Sequence, residues 1–360
     1  MRPINFLDSR EDIAKLDVSN TLGSIEQFGL QVQHVWDQVQ SIEFDPSYRE
    51  VTSIVVAGMG GSALGTHVIQ TLFREELPVP VVIAPDYTVP SYVNEKTLVI
   101  ASSYSGTTEE TIAATKDAIA KGAKVTGITT GGELAAILRE HHLPALIFDP
   151  KHNPCGSPRM ALGYSVFGQI GLLGKIGLLK LQQSDIERVV QTIAAAQVQY
   201  SVDAKQDTNP AKLLAFQLVE KLPVIVVSEH LEGIAHVFAN QLNENSKTYS
   251  EYRVVPELNH HLLEGLQYPK SNDGILCMLT VHSDLYRIQN QRRMDLTQEV
   301  LDQHHIEYQP VTLQGSTKLE QAFEFMILGS YVNYYLAMLY NMNPEPIPIV
   351  DWFKAQLKNA

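Results

Sequence analysis

The chain has 360 residues, 44% of them hydrophobic and 19% charged, which provides apolar material for two cores of ordinary size and carries no signature of disorder. Its formal net charge of −13 argues against a nucleic-acid surface and means that any phosphate site must be built locally. The two cysteines, Cys155 and Cys277, lack CxxC spacing, so reduced thiols are expected rather than a disulfide framework or a zinc site.

The first residues lack the basic start and apolar core of a signal peptide, and a cytoplasmic protein is expected. Residues 8–42 read as amphipathic helix with polar breaks. From Val51 short apolar runs alternate with helical stretches. Runs at 53–57, 80–83, 97–100, 124–128 and 145–148 are almost wholly apolar, as strands buried on both faces of a parallel sheet are. Helices are predicted between them over 63–74, 107–121 and 133–140. The stretch 162–181 comes nearest to a membrane span, but Gln169, Lys175 and Lys180 mark it as a buried helix and no membrane association is expected. Residues 159–222 are mostly helical.

A second block repeats the scheme, with strands at 223–227, 252–255, 274–281 and 306–311 and helices at 231–247, 283–303 and 319–340. A proline-rich stretch, 343–348, precedes a last helix ending near Leu357. Strand–helix alternation of this kind predicts an α/β protein with two doubly wound, mostly parallel sheets flanked by helices. The expected organisation is a helical extension over 1–50, a first α/β domain over 51–160, a helical linking region over 161–220 and a second α/β domain over 221–360.

Two loops follow strands of the first block. One is Gly58-Met59-Gly60-Gly61-Ser62 and the other Ser102-Ser103-Tyr104-Ser105-Gly106-Thr107-Thr108. Both lie at strand-to-helix turns, where open α/β sheets bind ligands. Glycines let backbone N–H groups approach an anion, and the helix N-terminus adds a favourable dipole. Hydroxyls of Ser103, Ser105 and Thr108 can add hydrogen bonds to phosphate oxygens. Tight packing, or dinucleotide binding, would also explain the glycine loop, although the acidic residue a dinucleotide site wants is poorly placed, since Asp86 lies too far on. Helix capping needs a single hydroxyl, and the second loop has five Ser and Thr residues around one glycine. Neither loop has a Walker lysine. The histidine pairs 141/142, 260/261 and 304/305 lack HExxH spacing, so no metal site is expected.

These two loops, with Ser157-Pro158-Arg159, Asn243-Glu244-Asn245-Ser246-Lys247, Pro256-Glu257-Leu258-Asn259-His260, Leu328-Gly329-Ser330-Tyr331 and Asp351-Trp352-Phe353-Lys354, resemble the sugar isomerase (SIS) domain family over about residues 50–357. Within it they are most similar to the bifunctional phosphoglucose/phosphomannose isomerase branch. The resemblance implies two SIS domains in a homodimer that acts on a hexose 6-phosphate without metal or cofactor. By that likeness the backbone at Gly60 and Gly61 and the side chains of Ser62, Ser103, Ser105 and Thr108 would hold the phosphate. Arg159 would sit beside C1–C2 of the sugar, Glu244 would be the base, and His260 and Lys354 would assist ring opening, with His260 donated across the dimer interface.

The chemistry fits these residue types. One carboxylate can carry a proton between adjacent carbons, a fixed cation suits the charge of an enediolate, and a histidine can exchange protons near neutral pH. On spacing alone Glu244 could equally be a solvated helix residue, Arg159 a surface ion pair and Lys354 an ordinary helix lysine with Lys358 as an alternative. One departure from the branch concerns the C-terminus. The branch is expected to carry a threonine about seven residues before the terminal lysine, which leaves room for mannose-type substrates. Here that place falls on Ile347, and residues 341–360 hold no threonine. The leading expectation is an isomerase of glucose 6-phosphate and fructose 6-phosphate that extends to mannose 6-phosphate. The alternatives are an isomerase of another phosphosugar, a non-catalytic phosphosugar-sensing protein and, on the glycine loop only, a dinucleotide oxidoreductase.

Overall fold

The structure is a computed structural model that describes residues 2–357. The chain divides into two compact units. One comprises Glu26–Gln191 and His230–Gly233. The other comprises the described residues up to Ile25, Thr192–Glu229 and those from Ile234 onward.

The first unit is built on a five-stranded sheet in the order β2-β1-β3-β4-β5. Its strands are β1 (Ser53–Gly58), β2 (Val81–Ala84), β3 (Thr97–Ser102), β4 (Lys124–Thr129) and β5 (Ala145–Ile147), all parallel. Val55 and Ala57, Val99 and Ala101, and Val125 turn one face toward Ala114 and Ala118 of the helix Glu109–Ala120 and Leu134 and Leu138 of the helix Gly132–Glu140. The alternate residues Ile54, Val56, Leu98 and Ile100 are equally buried. Burial on both faces explains the unbroken apolar runs, and each buried valine, leucine or isoleucine side chain contributes about 1.5–3 kcal/mol. The apolar stretch after Arg159 forms the helix Leu162–Ile176, which packs against the helices Phe28–Val39 and Gly61–Leu72.

The second unit has a four-stranded parallel sheet in the order β7-β6-β8-β9. Its strands are β6 (Leu222–Ser228), β7 (Glu251–Val255), β8 (Leu276–His282) and β9 (Glu307–Thr312). The helix Lys318–Leu339 is buried on almost every side, with Phe325 edge-on to Phe238 at 5.8 Å between ring centres. The fully buried Lys212 is satisfied by Asp8 Oδ1 at 2.8 Å and the carbonyls of Val202 and Ala204 at 2.7 and 2.6 Å. Burial lowers its pKa, and the Asp8 carboxylate opposes that shift. Both sheets thus have the expected architecture, and each reverses its strand order once, between β1 and β3 in the first unit and between β6 and β8 in the second.

Several element boundaries differ from the sequence reading. The helix expected over 231–247 is Glu232–Glu244. Lys247 turns left-handed (φ 53°) and the Thr248 N–H closes on the Leu242 carbonyl. The helix expected from Ser283 begins at Ile288, because the Ser283 hydroxyl accepts the Leu285 N–H and holds that segment in a turn. Residues 274 and 275 belong to a helical turn, Asn272–Ile275, rather than to β8. Arg159 lies not in the apolar helix but in the 3-10 turn Pro158–Met160 before it. Among the described residues no helix is long and apolar enough to cross a membrane.

Candidate active site

The switch point of the five-stranded sheet gathers Gly60, Gly61, Ser62, Ser103, Ser105, Thr108 and the turn that carries Arg159. Gly60 has φ 48° and ψ −130°, a conformation that side chains disfavour, and opens the helix Gly61–Leu72 directly after β1. The first loop is tied to the second twice. The Ser62 hydroxyl accepts the Tyr104 N–H at 2.9 Å, and the Ser102 hydroxyl donates to the Ser62 carbonyl at 2.7 Å.

The second loop is ordered by its own hydroxyls. Ser103, fully buried, accepts the Gly106 N–H at 3.1 Å, and its Oγ lies 2.9 Å from Thr108 Oγ1. Ser105 Oγ lies 2.9 Å from Thr107 Oγ1 and faces solvent. Thr108 stands at the N-cap of the helix Glu109–Ala120, yet its side chain makes no capping bond. The hydroxyls therefore serve the loop and leave the helix end uncapped by this residue, which is what an anion cradle requires. Gly106 has φ 68°, and a Cβ there would lie 1.8 Å from the Gly131 carbonyl oxygen. The turn after β4 closes on this loop from the other side, with Thr130 N–H and hydroxyl donating to the Tyr104 carbonyl at 2.9 and 2.7 Å.

Arg159 is 2% exposed, which rules out the surface ion pair as its setting. Its backbone nitrogen lies 2.9 Å from where a Cβ of Gly61 would stand. Gly61, Ser62, Ser102, Tyr104 and Pro158 line one small pocket with Ile128, Phe148 and Ser165. Burial raises the Tyr104 pKa, opposed by the hydrogen bond from Asn153, so the phenol stays neutral at physiological pH. Beneath this segment His34 Nδ1 lies 3.0 Å from the Tyr164 hydroxyl, and the His34 and His152 rings meet edge-on at 5.4 Å. Burial lowers the pKa of both histidines.

The remaining expected residues lie in the second unit, on three separate elements. Glu244, partly buried, is the last residue of the helix Glu232–Glu244. The residue after it, Asn245, is fully buried and donates to Asn333 Oδ1 at 2.7 Å, and Asn333 donates to Gln241 Oε1 at 3.1 Å and to the Gly329 carbonyl. This network pins the helix end to the helix Lys318–Leu339. His260 ends the 3-10 helix Glu257–His260 after β7 and is exposed. Lys354 lies on the helix Pro348–Leu357, all of whose residues are exposed. Lys358 lies outside the described residues. Sequence reading missed Asn153, which bridges two of the segments above. The Asn153-Pro154 pair signals a turn, but its partner Tyr104 is 49 residues away.

Two family models match the chain. Residues 47–152 match the SIS domain, and residues 207–357 match the bacterial phospho-glucose isomerase C-terminal SIS domain. A bifunctional phosphoglucose/phosphomannose isomerase of Caldicellulosiruptor bescii is 35% identical over 91% of this chain and 96% of its own length. Another, from Thermoplasma volcanium, is 29% identical over 92% of this chain and 99% of its own. Among solved structures, a hypothetical protein of Thermus thermophilus superposes with a TM-score of 0.72 at 18% identity, covering 94% of this chain and 90% of that one, a likeness of fold alone. With its paired parallel sheets and end-to-end match to these relatives, the chain belongs to the bifunctional phosphoglucose/phosphomannose isomerase family.

Proposed function

We propose that the protein interconverts glucose 6-phosphate and fructose 6-phosphate, and mannose 6-phosphate with the same ketose, through a cis-enediol intermediate. The observation that carries this reading is the hydroxyl-lined, glycine-opened cradle at the β1/β3 switch point, with the buried Arg159 turn closed against it. Backbone N–H groups at Gly60 and Gly61 and the hydroxyls of Ser62, Ser103, Ser105 and Thr108 take the 6-phosphate. Because Ser103 is buried and engaged with Gly106 and Thr108, it also sets the loop's shape.

Glu244 removes the proton from C2 of the aldose and returns it to C1, and Arg159 stabilises the negative charge that develops on oxygen between those steps. His260 and Lys354 move a proton between O5 and O1 to open the ring. The protein works as a homodimer in which His260 serves the partner's sugar. The exposure of His260, and of Ile349, Trp352, Phe353 and Leu357 on the terminal helix, supports an assembly that covers them. Ile347, partly buried just before that helix, stands where the branch is expected to carry threonine and bears on the mannose arm.

A coupled assay of fructose 6-phosphate formation tests the reading. Turnover is expected with glucose 6-phosphate and mannose 6-phosphate. Turnover with neither, together with activity on an amino-sugar or pentose phosphate, would move the protein to another phosphosugar. Binding without any turnover would make it a sensor.

A further inference from the structure

The hydroxyl loop and the arginine turn are joined by one buried carboxamide that belongs to neither. Asn153 is 4% exposed and uses both of its Nδ2 protons. One goes to the Tyr104 hydroxyl at 2.9 Å and the other to the Ser157 carbonyl at 3.0 Å. Tyr104 is one of the residues that anchor the hydroxyl loop, since its N–H donates to Ser62 and its carbonyl accepts from Thr130. Ser157 precedes Pro158 and Arg159, and its carbonyl also accepts the Met160 N–H that closes the turn. Asn153 is itself fixed, with its N–H on the Pro150 carbonyl and its own carbonyl accepting the Gly156 N–H. From the opposite side Gln31 donates to the carbonyls of Met160 and His152 at 3.0 and 3.1 Å, so the arginine turn has little freedom once Asn153 is in place.

We propose that Asn153 is a positioning residue for the isomerisation, setting the distance between the loop that takes the phosphate and the arginine that faces the reacting carbons. It touches no substrate and acts through Tyr104 and Ser157. This inference rests on the hexose-phosphate isomerase reading given above. A substrate held at its phosphate end by one segment and at its reacting end by another is sensitive to the spacing between them, because the stabilisation of developing charge depends on a pre-set geometry. Loss of the clasp leaves the hydroxyl loop able to bind phosphate and lets the arginine turn drift.

The test uses Asn153→Leu, similar in volume but without donors, and Tyr104→Phe, which removes only the acceptor at the far end. Both are compared with the parent for kcat, KM and two inhibition constants, one for inorganic phosphate and one for a hydroxamate that carries the phosphate and mimics the enediolate. Inhibition constants are independent of the fraction of enzyme that is folded, so they separate positioning from simple loss of stability. Asn153→Leu is expected to lower kcat and weaken the hydroxamate together, each on the order of 30-fold, with phosphate inhibition within about twofold of the parent. Tyr104→Phe should move the same quantities less, and the double variant should lose no more than Asn153→Leu alone. Unchanged hydroxamate inhibition in both variants overturns the proposal, as does equal weakening of both inhibitors, which would mean that Asn153 merely maintains the hydroxyl loop. If Asn153→Leu does not fold, Tyr104→Phe decides by the same two constants. A parent enzyme without hexose-phosphate turnover would instead sink the isomerase reading on which the proposal stands.

Discussion

The two sheets share a strand order around their switch points, β2-β1-β3-β4 in one and β7-β6-β8-β9 in the other, but they treat the anion position differently. After β1 the left-handed residue is Gly60, φ 48°, and the space beside it is open. After β6 the left-handed residue is Glu229, also at φ 48°. Its carboxylate accepts the Arg287 N–H and an Asn290 Nδ2 proton, both at 2.8 Å, at the start of the helix Ile288–Gln303. On the proposed reading, a carboxylate there takes the place that a phosphate oxygen would take in the first unit. The hydroxyl that follows β8, Ser283, is turned to Gln321 Oε1 at 2.5 Å instead of outward. On the proposed reading, one topology thus carries an open position after β1 and a filled one after β6, each beside a residue of positive φ. The strain of a non-glycine residue there, about 1–2 kcal/mol, is offset by two charge-assisted hydrogen bonds. On this reading the first unit holds the phosphate, and the second supplies the base at the end of a helix.

The largest expected effect tests that division of roles. Glu244→Gln should lower kcat by roughly 1,000-fold or more while leaving phosphate inhibition nearly unchanged, since it removes the base and not the receptor. Steady-state kinetics with inorganic phosphate as inhibitor read both quantities, and a kcat within tenfold of the parent would reject Glu244 as the base. Mixing the Glu244→Gln protein with a His260→Ala protein, then exchanging subunits, should restore about a quarter of the parent activity if His260 serves the partner's sugar. Recovery fails if both residues act within one chain. Ser105→Ala addresses the receptor half and should raise KM about tenfold with kcat little altered. A loss confined to kcat would place the phosphate elsewhere.

The plugged position yields a smaller effect. Glu229→Gly relieves the backbone but strands two donors, and a net loss of about 1–3 kcal/mol in urea unfolding is expected with KM unchanged. Inorganic phosphate should then raise the Tm of this variant more than that of the parent, and an equal shift would show that the carboxylate is no surrogate for an anion. The smallest effect is with pH. Burial depresses His34 and His152 in the first unit, as it does His236 and His282 in the second. Lys151 adds to the depression of the first pair, while Asp149 opposes it. The unfolded chain therefore takes up protons that the folded chain refuses. Stability is complete above the ordinary histidine value of 6.5 and is lost as pH falls below it. The urea midpoint should decline as pH falls below about 6.5, and replacing His34 and His152 by glutamine should flatten part of that decline.

Much of the first unit was legible in the sequence because its signals are local. Unbroken apolar runs give β1 and β3, and glycines and clustered hydroxyls follow them directly. What was not legible depends on partners far along the chain. Nothing near Glu244 shows that its helix ends there rather than at Lys247. That end is held by Asn245 reaching Asn333, 88 residues away. Beside the start of the helix at Ile288, the Arg287 N–H is taken by Glu229, 58 residues back in the chain. The same holds for the clasp at Asn153. The second switch point reads as an ordinary strand end until the left-handed Glu229 is seen folded onto the next helix.

The interlock at Gly106 bears on how the sugar is selected. There is no room for even one methyl group between that residue and the Gly131 carbonyl, so the turns after β3 and β4 are packed backbone against backbone. If the 6-phosphate binds here as proposed, it would meet donors already aimed and need not order them first, so the attachment end would contribute affinity without distinguishing one hexose from another. Discrimination among epimers would then fall to the groups that meet the sugar at its opposite end, where stereochemical tolerance could change without disturbing the grip on the phosphate.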